Sequence, residues 1–221
     1  MQIRKDILQD SSYDLRFLLN RGYRKKNALN FVSNKYLLSK HERNYLARSI
    51  YSELIAKSRM DKIVELSAIE NRFLLVDGYN VLISVESICK KDYDSLILCD
   101  DGIIRDLNAV FGKYKLNEYT KKALNNILVV INEYNPKIRF FFDKQVSFSG
   151  KLMKMTEELM NVYKIEGDVF LSSNVDFEII KMDNNENCVV STSDSVIIDK
   201  VSRILDIPFY ILQKKDLKPK L

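Results

Sequence analysis

The spacing of apolar residues changes near residue 68, and this change constrains the fold more than any other feature of the sequence. Residues 1–68 repeat apolar side chains at helical intervals, with no Pro and a single Gly. Beyond residue 68, short apolar runs alternate with helical stretches, which is typical of a parallel sheet covered by helices. We therefore predict a small all-α domain at residues 1–68 and an α/β domain at residues 69–221.

The helical domain carries two local signals. Ser39 followed by Glu42 is a capping box that begins a helix, and Gly22 marks the end of an earlier one. We predict a small bundle with a helix-turn-helix character.

The α/β domain has apolar runs of strand length that do not alternate with polar residues. This is the pattern of strands buried on both faces of a sheet. We predict strands at 73–76, 96–99, 138–142, 188–190 and 208–212. We predict helices around 103–112, 118–134, 150–164, 175–182 and 195–205.

Charge divides the chain in the same place. Residues 1–68 contain 14 Lys and Arg against 7 Asp and Glu, whereas residues 69–221 contain 21 against 23. The basic helical surface either contacts phosphates or is a solvated face, and it could also bind a protein partner or a second copy of the chain. Its basic residues are Arg21, Arg24, Lys25, Lys26, Lys35, Lys40, Arg43 and Arg48.

Several classes of site are excluded by composition. His41 is the only histidine, and Cys89, Cys99 and Cys188 have no CxxC spacing, so neither a Ser-His-Asp triad nor a zinc knuckle is expected. Any hydrolysis must then use carboxylates and a metal ion. The apolar runs are too short to span a bilayer and no signal peptide is evident, so we expect no membrane association and a cytoplasmic location.

Aspartates follow the predicted strands. They are Asp77, Asp100 with Asp101, Asp143 and, after three polar residues, Asp194. The carboxyl ends of parallel strands share one edge, where ligands bind, so these acids are expected in one crevice. Because clustered carboxylates repel one another, the natural ligand between them is Mg²⁺ or Mn²⁺. The alternative for each acid is that it caps the following helix.

Other phosphate motifs are absent. Tyr79 stands where a haloacid-dehalogenase-type phosphatase needs a second Asp, and no GxGxxG or P-loop follows a strand. The segment 147–151 either binds a phosphate at a helix N-terminus, through Ser147, Ser149 and Lys151, or is an ordinary helix start.

Two segments, FLLVDGYNVL at 73–82 and VVSTSD at 189–194, resemble the first and last motifs of PIN-like nucleases, in particular their NYN branch. Asp176, in NVDFE, stands at the position of that branch's internal acid. Further stretches around residues 18–23, 100–106 and 141–150 resemble a largely archaeal, uncharacterised group in which a helical domain precedes a PIN-like domain.

The resemblance implies a PIN-like Rossmannoid fold with a metal held by Asp77, Asp176 and Asp194. It also implies that Asn80 and Thr192 or Ser193 orient water and ligands. The sequence departs from the NYN pattern at Val196, where a second acid is common, and the next acid is Asp199.

The block at 100–106 is not a general PIN feature. Asp101, Arg105 and Asp106 therefore belong either to a specialised part of the site or to a structural network.

The leading hypothesis is a Mg²⁺- or Mn²⁺-dependent endoribonuclease, with structured RNA as the favoured partner. Asp143 and Asp101 would assist the metal site, and Lys144, Lys151 and Arg105 would neutralise the scissile phosphate.

Two alternatives remain at this point. One is a non-catalytic RNA-binding or complex-forming module, and the weaker one is a toxin-type nuclease. Tyr23, Tyr79 and Phe148 are candidates for base stacking, although aromatic residues in such a chain more often belong to the core.

Overall fold

The computed structural model describes residues 4–107, 114–186 and 188–217. It confirms an α/β fold in which a parallel sheet is flanked by helices and preceded by a helical region. Within the described residues, no helix combines the length and the apolar character needed to cross a bilayer.

The helical region is held by its own core. Leu15, Val32 and Leu46 are fully buried where its helices meet. Both local signals are confirmed: Ser39 and Glu42 form a reciprocal capping box, and Gly22 has a φ of +84° just after the first helix. The helices are α1 (Lys5–Asn20), α2 (Lys25–Lys35), α3 (Lys40–Ser49) and α4 (Glu53–Met60).

The main sheet is parallel throughout, in the order β5-β4-β1-β6. Its strands are β1 (Phe73–Asp77), β4 (Lys137–Asp143), β5 (Gly167–Ser172) and β6 (Val189–Ser191). In chain order, β4 and β5 are added on one side of β1, and β6 is then added on the other side. A crevice is expected where this order of addition reverses, at the carboxyl ends of β1 and β6.

Both faces of the sheet are covered. Alternate residues point to opposite faces, and Leu74 and Leu75 belong to two different apolar clusters. This explains why the strands are continuously apolar. The covering helices are α5 (Gly78–Lys90), α6 (Thr120–Asn132), α7 (Ser149–Tyr163), α8 (Val175–Glu186), α9 (Ser195–Lys200) and α10 (Ile207–Lys214), with short 3₁₀ turns at Leu66–Ile69 and Tyr93–Ser95.

The segment between the helical region and β1 extends this sheet. Ile204 forms parallel bridges with both Val190 and Ile63. The Val64 amide donates to the Ile204 carbonyl at 2.9 Å, and the Ile204 amide donates to the Lys62 carbonyl at 2.8 Å.

Some predicted elements were wrong. Residues 96–99 do not join the parallel sheet, because β2 (Leu96–Leu98) pairs antiparallel with β3 (Ile104–Asp106). That strand also replaces the start of the helix predicted at 103–112, and residues 108–113 lie outside the described part of the chain. The run 208–212 is not a strand but lies in α10. The sequence analysis also missed β5 and α5.

Gly78 allows β1 to turn directly into α5. A Cβ at this position would lie 2.2 Å from Phe142 Cε1 and 2.9 Å from the Phe141 carbonyl oxygen. Because Phe142 is fully buried, neither neighbour can move away without disturbing β4. The close approach of Gly78 to β4 thereby positions the preceding residue, Asp77, at the end of β1.

We expect Gly78→Ala to lower the free energy of unfolding by about 3 kcal/mol, since the new methyl group overpacks the core. Equilibrium urea denaturation followed by circular dichroism measures this. Gly150→Ala is the matched control, because a Cβ there meets nothing within 4 Å in a helix, and it should be neutral or stabilising by up to about 1 kcal/mol. Equal stability of the two variants would contradict the packing argument.

Candidate functional site

A cavity of about 330 Å³ opens at the carboxyl edge of the sheet, with Asp77, Asp143, Asp176 and Asp194 in its wall. Asp77 and Asp143 end β1 and β4, Asp176 lies in the first turn of α8 after β5, and Asp194 follows β6. The parallel topology therefore brings together acids that are up to 117 positions apart in the sequence. The wall is completed by Tyr79, Ile83, Tyr114, Val146, Ser173, Asn174 and Val175.

Asp77 is the most buried of these acids, with 5% of its surface exposed. Its Oδ2 accepts hydrogen bonds from Thr192 Oγ1 at 2.7 Å and from Asn80 Nδ2 at 2.5 Å. Burial is the main cause that raises the pKa of Asp77 to about 7, with smaller contributions from the charges of Asp194 and Asp176, and it outweighs the two hydrogen bonds, which lower the pKa. The two hydrogen bonds thus fix the orientation of the carboxylate, while burial disfavours its charged form.

The other acids are each oriented differently. Asp194 is the N-cap of α9, and its Oδ1 accepts from the Val196 amide at 2.6 Å, so capping and lining the cavity are combined in one residue. Asp143 Oδ1 accepts from the Gln145 amide at 2.8 Å. Asp176 is exposed at the cavity, where partial desolvation and the Asp194 charge raise its pKa.

The donor chemistry suits a hard divalent cation, because the described residues of the cavity wall offer carboxylate oxygens and no nitrogen or sulfur ligand. In the described part of the chain, no group of three or more His, Cys, Asp or Glu side chains is close enough to form a preformed metal cage. Mg²⁺ usually retains several waters and binds proteins through one or two carboxylates. Of the predicted ligands Asp77, Asp176 and Asp194, one or two would bind such an ion directly, and the remainder would contact its waters.

Asn80, Thr192 and Ser193 form a small polar network around Asp77. Ser193 Oγ donates to Asn80 Oδ1 at 3.3 Å, while Asn80 and Thr192 both donate to Asp77 Oδ2. The residues expected to orient ligands thus orient the buried acid itself.

The predicted phosphate-binding segment does not reach this cavity. Lys144, Ser147 and Lys151 are exposed and are not part of the wall. Ser149 is buried, and its hydroxyl donates to the Lys144 carbonyl at 3.4 Å, so it belongs to the helix start rather than to a ligand site.

Asp101 and Arg105 lie outside the acidic cavity, contrary to their predicted place. Asp101 is fully buried and pairs with Arg105 at 2.6 Å and with Arg59 at 2.9 Å. The physical reason is that β2 and β3 form an antiparallel pair beside the main sheet, so Asp101 does not share its carboxyl edge. The two guanidinium groups hold the pKa of Asp101 below its usual range, against the effect of burial.

This ion-pair cluster joins the helical region to the α/β domain. Arg59 comes from α4 and also pairs with Asp199 of α9 at 2.7 Å, while Arg105 Nε donates to the Ser193 carbonyl at 3.0 Å. The block at 100–106 is therefore a structural network, which was the second of the two interpretations.

Tyr51 lies at the centre of this junction and was missed in the sequence analysis. Its hydroxyl is 3.0 Å from Ser195 Oγ, and its ring lies under the cations of Lys25, Arg59 and Arg105. No sequence signal distinguishes this tyrosine from the other eleven.

Comparison with known proteins supplies the family. The protein-family model described as "Domain of unknown function (DUF5616)" matches residues 66–210, which is more than half of the chain. The chain belongs to this family. A second model, "Protein of unknown function (DUF434)", matches residues 7–62, the helical region of this DUF5616 member.

A relative spans almost the same length. The protein named "Uncharacterized protein MJ0935", from Methanocaldococcus jannaschii, is 42% identical over 202 residues, which cover 90% of this chain and 94% of the relative. No solved structure matches the chain.

We expect Asp101→Asn to destabilise the protein by about 3 kcal/mol, because it leaves Arg59 and Arg105 buried without their shared counter-charge. Urea denaturation measures the change. Glu166→Gln is the control: it breaks the exposed Lys137–Glu166 pair and should alter stability by less than about 0.5 kcal/mol. If Asp101→Asn left stability unchanged but abolished metal binding, our placement of Asp101 would be wrong.

We expect Asp77→Asn to stabilise the metal-free protein by about 2 kcal/mol at pH 8, because the variant removes a buried charge. The folded-state pKa of Asp77, about 7, lies above the unfolded value. The contribution of Asp77 to the stability of the wild-type protein is therefore fully present below about pH 4 and is lost as the pH rises through 7. The advantage of the variant should therefore grow from pH 4 to 7 and then level off.

Thermal denaturation in EDTA across this pH range tests the prediction. A stability difference that is constant with pH would show that Asp77 does not titrate as described.

Proposed function

We propose that the protein is a divalent-metal-dependent ribonuclease. The observation that carries this proposal is the convergence of Asp77, Asp143, Asp176 and Asp194 on one cavity at the carboxyl edge of a parallel sheet. The raised pKa values of Asp77 and Asp176 are typical of carboxylates that are arranged to bind a cation. The choice of RNA is supported by the motif resemblance described for residues 73–82 and 189–194.

When bound, Mg²⁺ or Mn²⁺ would lower the pKa of a coordinated water and neutralise charge on a phosphodiester. Asp77, Asp176 and Asp194 would supply the carboxylates that hold it. Asn80 and Thr192 keep Asp77 in one orientation by donating to Oδ2, so this acid need not reorganise when substrate arrives. None of these roles needs a histidine.

A second cavity, of about 270 Å³, has Asp194 in its wall, as the acidic cavity does. Its wall includes Arg48 and Tyr51 from the helical region and Arg105 from β3. The Arg48 guanidinium beside the acids would favour the phosphates on either side of the cleaved bond, through contacts that weaken with salt, whereas Arg105 is buried and paired with Asp101. In this proposal the helical region forms part of the path of the RNA.

A non-catalytic RNA-binding module is the second candidate. It is favoured by the engagement of Asp194 as a helix cap and by the absence, among the described residues, of a preformed metal cage. In that case the acids would shape a surface without supporting hydrolysis.

We expect RNA cleavage that requires Mn²⁺ or Mg²⁺ and falls at least about 100-fold in Asp77→Asn and in Asp194→Asn, because each variant removes one carboxylate charge from the metal site. The assay uses structured RNA, single-stranded RNA and single-stranded DNA, with folding of each variant checked by circular dichroism.

Asp168→Asn is the matched control. Asp168 is an exposed carboxylate on β5 that lies outside the cavity wall, so this variant should cleave like the wild type. If wild-type protein binds RNA but leaves every substrate intact with both metals, the nuclease proposal fails and the binding module replaces it.

A further inference from the structure

The acidic cavity has a second wall that the proposed hydrolysis does not use. Tyr79, Ile83, Tyr114 and Val146 form it, next to Asp143 and Asp77. A metal ion and its waters need no apolar or aromatic surface. The aromatic and apolar side chains of this wall therefore favour contact with a flat, largely apolar part of a ligand.

The hydroxyl of Tyr79 is unpaired within the described part of the chain. The residue is 6% exposed, and its Oη is buried with no hydrogen-bond partner in the described residues. Buried hydroxyls are normally paired, because an unpaired one loses its bonds to water without replacement. A phenol hydroxyl can both donate and accept a hydrogen bond.

Tyr114 provides the contrast within the same wall. Its hydroxyl donates to Glu86 Oε1 at 2.5 Å and is 2.9 Å from Thr120 Oγ1, so its hydrogen-bonding capacity is used internally. Its ring centroid lies 5.1 Å from that of Tyr79, in a tilted arrangement. The two side chains give the cavity an aromatic surface with one unpaired polar group.

We propose that this wall is a nucleobase subsite, which takes the base of a nucleotide next to the cleaved phosphodiester and pairs its edge with Tyr79 Oη. The inference rests on the proposed ribonuclease function and names the part of the substrate that the cavity selects. Aromatic faces stack on any base, whereas a hydroxyl at a fixed place distinguishes base edges.

The size of the cavity restricts the substrate further. Its volume, about 330 Å³, is at the lower end for ligand pockets, which suits one base rather than a base pair. A base must leave its helix stack to enter such a pocket. The expected substrate is therefore a loop, bulge or single strand, where bases are already unstacked.

The first test measures base binding without metal or cleavage. The probe is 2-aminopurine ribonucleoside monophosphate, whose fluorescence falls when it stacks on an aromatic ring. We expect quenching by wild-type protein in EDTA and binding weakened on the order of tenfold in Tyr79→Phe, which loses one hydrogen bond. Tyr163→Phe is the control, because Tyr163 lies outside the cavity wall and its hydroxyl donates to Asn125 Oδ1 at 3.5 Å, and this variant should bind like the wild type.

The second test measures base preference in cleavage. Four hairpin RNAs that differ in one unpaired nucleotide are cleaved by wild-type protein and by Tyr79→Phe with Mn²⁺. We expect the wild type to prefer one class of base and the variant to lose that preference while it keeps metal-dependent cleavage.

The results separate the two proposals. Cleavage by the wild type with no base preference and no quenching would overturn the subsite and leave the ribonuclease intact. Quenching that depends on the Tyr79 hydroxyl, without cleavage of any RNA, would support the subsite and overturn the ribonuclease. Equal binding by wild type and Tyr79→Phe would overturn the subsite in either case.

Discussion

The buried carboxylate of Asp101, held between Arg59 and Arg105, is the interaction on which the arrangement of the site depends. Arg59 comes from the helical region, whereas Asp101 and Arg105 both belong to the antiparallel hairpin, so this anion joins the helical region to the hairpin. Arg105 also binds the Ser193 carbonyl, next to Asp194. The position of Asp194 thus depends on an ion-pair cluster that lies outside the acidic cavity. Within the cluster, the attraction between Asp101 and the two arginines compensates the free-energy cost of burying three charges.

The sequence predicts the fold class well where periodicity is strong and poorly where apolar runs are ambiguous. Residues 73–76 and 138–142 are strands because their runs are buried on both faces. Residues 96–98 look the same, but apolarity does not reveal the direction of pairing. The run at 208–212 is helical, and the signals were Asp206 as N-cap and Pro208 in the first turn. The strand β5 is partly exposed, so its apolar pattern is weak.

The site was predictable to the extent that topology determines it. Asp77, Asp143 and Asp194 were found because parallel strands deliver their carboxyl ends to one edge, whereas Asp176 came from the motif resemblance, since β5 was missed. Asp101 was misplaced together with its strand. The roles of Tyr51, Tyr79 and Tyr114 depend on which hydroxyl has a partner and which ring meets a cation, and those properties arise only from tertiary packing.

The double pairing of Ile204 has a consequence for how the chain can be divided. The backbone at Ile204 pairs with β6 on one side and with the segment around Ile63 on the other. This segment, which follows the helical region, therefore satisfies the outer amide and carbonyl groups at this edge of the sheet. Cutting the chain between the two family segments would expose this row as a template for other chains, and would remove Arg59 from Asp101. The α/β half produced alone would therefore tend to self-associate through this edge.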